Sequence, residues 1–264
     1  MKKGRFRFSH LYMGLVLAIM YLPILLTVLY SFNESKISSV WGGFSLTWYR
    51  QLFQDEEMFR ALWNSIVLAV CSCLLAAVLG TLGAFGMTRV KSRLSKPMEY
   101  LSTLPIMIPE IILGMAYLSF FSLLQVPFGM LTLVAAHTTF CVPYIFINVK
   151  ASLQSLDPAL GEAALDLGAS RRRVFFDITA PLIFPSILSG SLLAFAMSMD
   201  DVVISFFVTG PETATLPLQV YSMLKMGVTP EINALCTVML GTVFLLVAGV
   251  RLFQSARQAK KGRQ

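Results

Sequence analysis

Long runs of residues without a charge recur along this chain, and short segments rich in lysine and arginine separate them. The hydrocarbon core of a bilayer is about 30 Å thick, and a helix needs about 20 residues to cross it. Six largely apolar stretches fit that length, at about 11–32, 63–87, 100–123, 130–149, 182–206 and 232–250, and their only charged residues are Glu110 in the third and Asp200 and Asp201 in the fifth. The pattern therefore predicts an all-α protein with six membrane-spanning helices.

The third and fourth of these helices share the longest run, because Glu110 is the only charged residue within 100–148. A turn between them is predicted at 126–129 (Val-Pro-Phe-Gly), since proline removes a backbone donor and glycine permits a bend. Pro105 and Pro109 are also expected to break the third helix, with Pro109 as the first residue of the resumed helix.

The composition agrees with this pattern. Apolar residues make up 56% of the chain and charged residues 13%, and the mean hydropathy is +0.72. These values are typical of an integral membrane protein. The first run follows a basic segment, as in a secretory signal, but it is longer than the apolar region of a signal and no small-x-small cleavage site follows it. We therefore predict an uncleaved first span.

The positive charges predict the orientation, because lysine and arginine beside spans stay on the cytoplasmic side. With a cytoplasmic N-terminus, seventeen of the 21 cations fall inside the cell. We expect cytoplasmic tails at 1–10 and 254–264, one transmembrane domain at 11–253, and a cytoplasmic loop at 150–180. The inside cations are Lys2, Lys3, Arg5, Arg7, Arg89, Lys91, Arg93, Lys96, Lys150, Arg171, Arg172, Arg173, Arg251, Arg257, Lys260, Lys261 and Arg263, and the outside ones are Lys36, Arg50, Arg60 and Lys225.

Several function classes are excluded by what the sequence lacks. The net charge of +7 lies in loops where topology demands it, so it does not indicate nucleic-acid binding. The four cysteines lie within predicted spans without metal-ligand or disulfide spacing, and we expect His137 to hydrogen-bond a neighbouring helix. No phosphate-binding loop of the G-x-x-x-x-G-K-[ST] type occurs. If transport is powered by ATP, another subunit must bind it.

A short amphipathic helix is predicted inside the cytoplasmic loop. Asp157 followed by Pro158 is typical of a helix N-terminus, and Gly168 can adopt the left-handed turn that ends one. Apolar side chains then share one side, with two acids beside them: Leu156, Leu160, Ala163, Ala164 and Leu167, with Glu162 and Asp166. Two interpretations remain open on amphipathicity alone: a helix that inserts into a groove of a partner, or one that lies along the membrane surface.

The spacing around this helix resembles a known family. Glu162-Ala163-Ala164, then Gly168, then 178–181 (Ile-Thr-Ala-Pro) resemble the EAA loop of bacterial ATP-binding cassette importers, and only Ala180 departs from the usual leucine. The chain is similar over nearly its whole length to the C-type permease subunits of spermidine/putrescine importers. The segments that carry this resemblance are 30–33, 48–49, 64–65, 198–203, 207–211, 216–217 and 227–235.

The resemblance implies a type I importer permease fold, a place in the bacterial inner membrane, and a set of partners. These are a B-type permease in a pseudo-twofold pair, a cytoplasmic ATPase dimer and an extracytoplasmic polyamine-binding protein. The ATPase would receive Asp157, Leu160, Glu162, Ala163, Ala164, Leu167 and Gly168. It would also bind ATP and Mg²⁺, so that this chain needs no cofactor, holds no metal and carries no catalytic residue.

Polyamines are cations at neutral pH, because amines of this kind titrate near the lysine value of about 10. A path for them needs carboxylates, which are rare in spans and usually face an interior or a water-filled cavity. Asp200 and Asp201 are predicted about 24 Å above the cytoplasmic edge. As neighbours on a helix they diverge by about 100°, so we expect one to meet an amine while the other bonds within the protein, for example to Ser205. Alternatively, both lie at a helix end in a hydrated loop.

Glu110, Phe206 and Tyr221 complete the predicted path. Glu110 either contacts the solute at a broken helix or only balances the positive end of that helix. Phe206 and Tyr221, with Phe207 beside them, either offer cation-binding faces or belong to the aromatic belt of the interface. The outer segments 33–62 and 208–231 are the expected platform for the binding protein, with a short helix at 216–226.

Three functions remain open from the sequence. The first is a permease subunit of an ATP-driven polyamine importer, and the second is the same machine with another solute, because the EAA loop identifies the motor and not the cargo. The third is a self-sufficient secondary transporter or cation channel that uses the intramembrane acids.

Overall fold

A computed structural model describes residues 3–36, 40–89, 95–227 and 229–261. These residues contain no β-strand and are almost entirely helical, as predicted. Lys2, Lys91, Arg93 and Arg263, which entered the charge argument, lie outside them. In chain order the helices are α1 Lys3–Tyr30, α2 Thr47–Leu52, α3 Glu56–Arg89, α4 Ser95–Met107, α5 Glu110–Leu123, α6 Met130–Ser155, α7 Pro158–Asp166, α8 Arg171–Arg173, a π-helix Val174–Thr179, α9 Ala180–Asp200, α10 Val203–Val208, α11 Leu216–Met226 and α12 Pro230–Lys261.

Four helical stretches among the described residues are long and apolar enough to cross a membrane, and they begin and end at Ser9–Tyr30, Glu56–Thr88, Met130–Ser155 and Arg171–Asp200. A fifth would be the pair formed by α4 and α5, which is bent by 106°. The sixth predicted span corresponds to a shorter apolar helix, Pro230–Leu245. The six-span count and the cytoplasmic termini therefore stay predictions.

The break in the third predicted span differs in detail from the prediction. Pro105 lies inside α4 without ending it, and the break comes at Ile108 and Pro109. Pro109 precedes α5 with an extended backbone, so that Glu110 and not Pro109 is the first helical residue. Helix α4 runs on to Met107, so Pro109 is the residue directly before α5. The residue that precedes a helix has an extended backbone, and Pro109 adopts this conformation.

The helix predicted at 182–206 is also interrupted. Its first part, α9, ends at Asp200, and Asp201 takes an extended conformation before α10 begins at Val203. Helical periodicity alone did not reveal this break, because the apolar pattern continues on both sides of it. The predicted turn at 126–129 is found between α5 and α6, and the short helix at 216–226 is present as α11.

Contacts divide the chain into two compact units, residues 1–57 with 222–264, and residues 58–221. In the first unit α12 packs on α1 and α2. The buried indole of Trp48 in α2 donates a hydrogen bond from Nε1 to the carbonyl oxygen of Asn33, at 2.7 Å. Along Ser9–Tyr30 of α1, nearly all apolar side chains are exposed and none is buried.

The second unit is built around the packing of α6 on α9. Gly190 permits this contact, because a Cβ there would lie 2.9 Å from the Cα of Ile145. An ion pair between Lys150 and Glu99 joins α6 to α4. Buried side chains from five helices fill the core of this unit, among them Leu68, Leu113, Phe121, Leu133, Phe140, Ile145, Phe146, Val149, Ile183, Ile204 and Val208.

Candidate functional site

The predicted amphipathic helix exists as α7, and both its ends are capped. The carboxylate of Asp157 accepts a hydrogen bond from the backbone N–H of Ala159 at 2.9 Å, and Pro158 occupies the first turn. This arrangement satisfies a donor that a helix start otherwise leaves without a partner. The N-terminus of α7 is therefore fixed by its own sequence.

Gly168 ends the helix with a left-handed backbone, at φ +85°. Its N–H donates to the carbonyl oxygen of Leu165 at 2.9 Å, and the N–H of Ala169 donates to that of Ala164 at 3.0 Å. These two bonds form a Schellman motif, which satisfies the last carbonyl groups of the helix. The left-handed turn predicted from the sequence is present.

No residue of α7 is buried. Leu167 is 89% exposed, and Leu160 is also exposed although it lines the edge of a pocket. Glu162 and Ala163 are exposed, while Ala164 is half-buried. A helix that leaves its large apolar side chains uncovered presents an apolar surface to something outside the chain. Between α7 and the helices behind it lies a pocket of about 410 Å³, whose lining includes Leu156, Gly161, Leu165, Val174 and Ile178.

The remainder of the predicted loop 150–180 is also largely helical. Helix α6 continues to Ser155. After α7, the hydroxyl of Ser170 accepts a hydrogen bond from the N–H of Arg173 at 3.3 Å and starts α8, which runs through the π-helix into α9. Helix α7 is thus joined by short connections to α6 on one side and to α8 on the other.

The two adjacent aspartates occupy different environments. Asp200 ends α9 and is exposed, whereas Asp201 is 7% exposed. One carboxylate oxygen of Asp201 accepts from the N–H of Ile204 at 3.1 Å, and the other accepts from the N–H and the hydroxyl of Ser205, at 2.8 and 2.9 Å. Asp201 therefore bonds within the protein and begins α10, and Asp200 is the one left open.

His137 of α6 is completely buried and holds the same carboxylate. Its Nε2 lies 3.3 Å from Oδ2 of Asp201 and 3.1 Å from the hydroxyl of Ser205, and its Nδ1 lies 2.8 Å from the hydroxyl of Ser198 in α9. The expectation that His137 hydrogen-bonds a neighbouring helix is confirmed. No cluster of metal-binding side chains occurs within the described ranges.

Glu110 lies at the other helix break and is exposed. The residue after it, Ile111, lines the same pocket as Val202, the residue after Asp201. The fold therefore brings the three predicted acids into one region, where their like charges repel. As the first residue of α5, Glu110 also meets the positive end of that helix. Both interpretations of Glu110, as a solute contact and as a helix-end charge, agree with this position.

An apolar pocket of about 350 Å³ adjoins the acids along the chain. It is lined by Ile111, Val202, Val203, Phe206, Phe207 and Tyr221. The three aromatic residues named from the sequence, Phe206, Phe207 and Tyr221, thus line one cavity. The ring of Phe207 lies beside Gly114 of α5, where a Cβ would come within 2.5 Å of it, and this contact depends on tertiary packing.

Residues 75–260 match the family described as binding-protein-dependent transport system inner membrane component. The putrescine transport system permease protein PotI of Escherichia coli (strain K12) is 43% identical over 249 residues, which cover 92% of this chain and 88% of that protein. The spermidine/putrescine transport system permease protein PotC of the same strain is 37% identical over 251 residues, which cover 95% and 94%.

Solved structures show the same fold at low identity. A bacterial ABC transporter involved in the import of the acidic polysaccharide alginate aligns with a TM-score of 0.72 at 13% identity, over 97% of this chain and 98% of that one. The MetNI methionine ABC transporter in an inward-facing conformation aligns with a TM-score of 0.62 at 18% identity, over 75% and 95%. The chain therefore has the fold of ABC importer permeases.

Proposed function

The chain belongs to the family of inner membrane components of binding-protein-dependent transport systems, and from this membership we propose that it is the permease subunit of an ATP-driven polyamine importer. The choice of solute rests on two exposed acids that lie beside an apolar, aromatic pocket. Glu110 and Asp200 lie at two helix breaks, where their like charges repel. The pocket is lined by Ile111, the residue after Glu110, among others.

The chemistry of a polyamine matches both parts of this region. Its ammonium groups are charged at neutral pH and need carboxylates once they leave water. Its methylene segments gain from apolar walls, and the faces of Phe206 and Tyr221 attract cations. We assign the solute contacts to Glu110 and Asp200 and not to Asp201, whose oxygens are occupied by internal donors. The relatives named as permeases for putrescine and for spermidine/putrescine support the same class of solute.

The ATPase that powers transport is proposed to bind at α7. This helix is capped at both ends, buries no residue and exposes Leu160 and Leu167. A short, capped helix with an apolar face of this kind suits a groove on a partner. The partner would be a cytoplasmic ATPase dimer, which binds ATP and Mg²⁺ and moves α7 when it closes.

Two further partners complete the proposal. A second, B-type permease would form a pseudo-twofold pair with this chain. The uncovered apolar surface of α1 would face lipid and protein neighbours in the membrane. An extracytoplasmic polyamine-binding protein would dock on the outer segments 33–62 and 208–231. The assembly would lie in the bacterial inner membrane, with six spans and both termini of this chain in the cytoplasm.

Reconstitution in liposomes tests this function. The chain with its partner permease, ATPase and loaded binding protein should accumulate radiolabelled polyamine only when ATP is supplied, and unlabelled polyamines should compete. Uptake by the chain alone, without ATPase, would support a secondary transporter or channel and sink the proposal. ATP-driven uptake of an unrelated solute, with none of polyamine, would show that the same machine carries another solute.

The coupling claim has its own test. Glu162→Lys should abolish ATP-driven uptake while the chain still inserts and assembles, because the substitution reverses a charge on the exposed face of α7. The matched control is Asp177→Lys, the same reversal at an exposed site on the π-helix, which should keep most of the uptake. Unchanged uptake in Glu162→Lys would contradict a docking role for α7.

A further inference from the structure

We propose that His137 is a positioning residue for the solute path, which it shapes by fixing Asp201 and, through Asp201, helix α10. This inference rests on the proposed function, because it concerns the pocket next to Glu110 and Asp200. His137 has no exposed surface and cannot touch a solute. Its effect must pass through the groups that it bonds.

The first step is the break between α9 and α10. A break between two helices leaves the N–H groups at the start of the second helix without backbone partners, and such groups destabilise the fold when they are buried unless another group of the protein accepts from them. Asp201 provides this compensation, since its carboxylate accepts from the N–H groups of Ile204 and Ser205. The break and the direction in which α10 leaves it therefore depend on where this carboxylate is held.

The second step is what holds the carboxylate. Its Oδ2 faces Nε2 of His137, and the hydroxyl of Ser198 lies against Nδ1 on the other side of the ring. With Nε2–H donating to Asp201, Nδ1 is free to accept from Ser198, so every polar atom of the ring has a partner. Ser72 of α3 continues the chain, with its hydroxyl 3.5 Å from that of Ser198. The buried network thus joins α3, α6 and α9 to the start of α10.

The third step is the far end of α10. The hydroxyl of Thr132 in α6 donates to the carbonyl oxygen of Val208 at 2.8 Å. Helix α10 is therefore bonded to α6 at both ends, by His137 through Asp201 and by Thr132. Between these two points it carries Phe206 and Phe207, which line the pocket. Loss of one attachment should let these rings move relative to Glu110 and Asp200.

Transport by the reconstituted complex at saturating, polyamine-loaded binding protein tests the role. Two ratios are measured: polyamine moved per ATP hydrolysed, and spermidine moved relative to putrescine. Neither ratio depends on how many complexes are active, so a loss of stability alone leaves both unchanged. His137→Leu removes both ring contacts, whereas the amide of His137→Gln can still donate to Asp201 and accept from Ser198.

The matched control is Cys141→Ala. Cys141 lies one turn from His137 on α6, is equally buried, and has its Sγ 3.5 Å from the carbonyl oxygen of Ala194 in α9, with no bond to α10. We expect polyamine moved per ATP to fall about three- to tenfold in His137→Leu, in line with single hydrogen bonds between membrane helices. His137→Gln should stay within about twofold of the wild type on the same scale, and Cys141→Ala should match the wild type.

The double variant His137→Leu with Asp201→Asn adds a second criterion. If His137 acts through Asp201, the double variant is no worse than the worse of the two single ones. If the losses of the two single variants instead multiply in the double variant, or if both ratios are unchanged in His137→Leu, the inference is overturned. Uptake by the wild type would in that case still support the proposed function. Should His137→Leu fail to assemble, Ser198→Ala, which removes the partner of Nδ1 and the contact with Ser72 but leaves the imidazole and Asp201 in place, decides by the same comparison with Cys141→Ala.

Discussion

Substitution by alanine should change the stability of α7 in opposite directions at two glycines, Gly161 within the helix and Gly168 at its end. Gly168 has φ +85°, and a Cβ there would meet nothing within 4 Å. The cost of Gly168→Ala therefore comes from the backbone and not from a clash, and amounts to about 1–2 kcal/mol for an L-residue in the left-handed region. Gly161 lies in the middle of α7, and its Cβ would meet Cγ1 of Val174 at an ordinary 3.7 Å.

Gly161→Ala should therefore stabilise α7 by about 0.8–1.0 kcal/mol, the difference in helix propensity. Helix α7 is short, and helices of fewer than about 12 residues are marginal by themselves. A change of 1–2 kcal/mol shifts the opening of such a helix by a factor of about 5–30. Gly168→Asn should behave almost like the wild type, because asparagine tolerates the left-handed region.

Hydrogen exchange in the intact protein measures both effects. The amides of Leu167, Gly168 and Ala169, which close the end of α7, should exchange about 5- to 30-fold faster in Gly168→Ala and more slowly in Gly161→Ala. ATP-driven uptake should fall in Gly168→Ala, with insertion unchanged. Exchange that shifts in the same direction in both variants would refute the assignment of Gly168 as the left-handed stop of a coupling helix.

Two further predictions concern packing. Gly190→Ala should destabilise the purified protein by about 1–3 kcal/mol, because its Cβ would press on the backbone of Ile145. The melting temperature in detergent should fall relative to the control Gly86→Ala, whose Cβ would meet nothing within 4 Å, and equal melting temperatures would contradict this. Ser65→Ala should destabilise the protein by about 1–3 kcal/mol and speed hydrogen exchange of the Leu216 amide, which donates to the Ser65 hydroxyl at 2.8 Å. Unchanged exchange of that amide would show that the bond does not hold this loop.

Features that depend on local sequence could be predicted well. The caps of α7 follow from Asp157, Pro158 and Gly168, since each of these residue types has a backbone preference that acts without tertiary contacts. The turn before α6 follows from its proline and glycine for the same reason. Apolar length likewise located the helices that can cross a membrane.

Features that depend on contacts between helices could not be predicted fully. The break at Asp201 lies between two apolar stretches, and a helix end there was only one of two alternatives from the sequence. The break is compensated by the Asp201 carboxylate and by His137, 64 positions earlier in the chain. The sequence indicated that one of the two aspartates would bond internally, but only the fold distinguishes buried Asp201 from exposed Asp200. The position of Phe207 against Gly114 is another contact of this kind.

Exposed carboxylates of this permease are proposed to receive a polyamine whose movement is powered by a separate ATPase. The quantity to measure is the amount of radiolabelled polyamine moved per ATP hydrolysed by the reconstituted complex, in the wild type and in the double variant Glu110→Gln with Asp200→Asn. Both substitutions remove a charge and keep the shape of the side chain. We expect a loss of at least about tenfold with ATP hydrolysis and assembly retained, and an unchanged ratio would show that these carboxylates do not receive the solute.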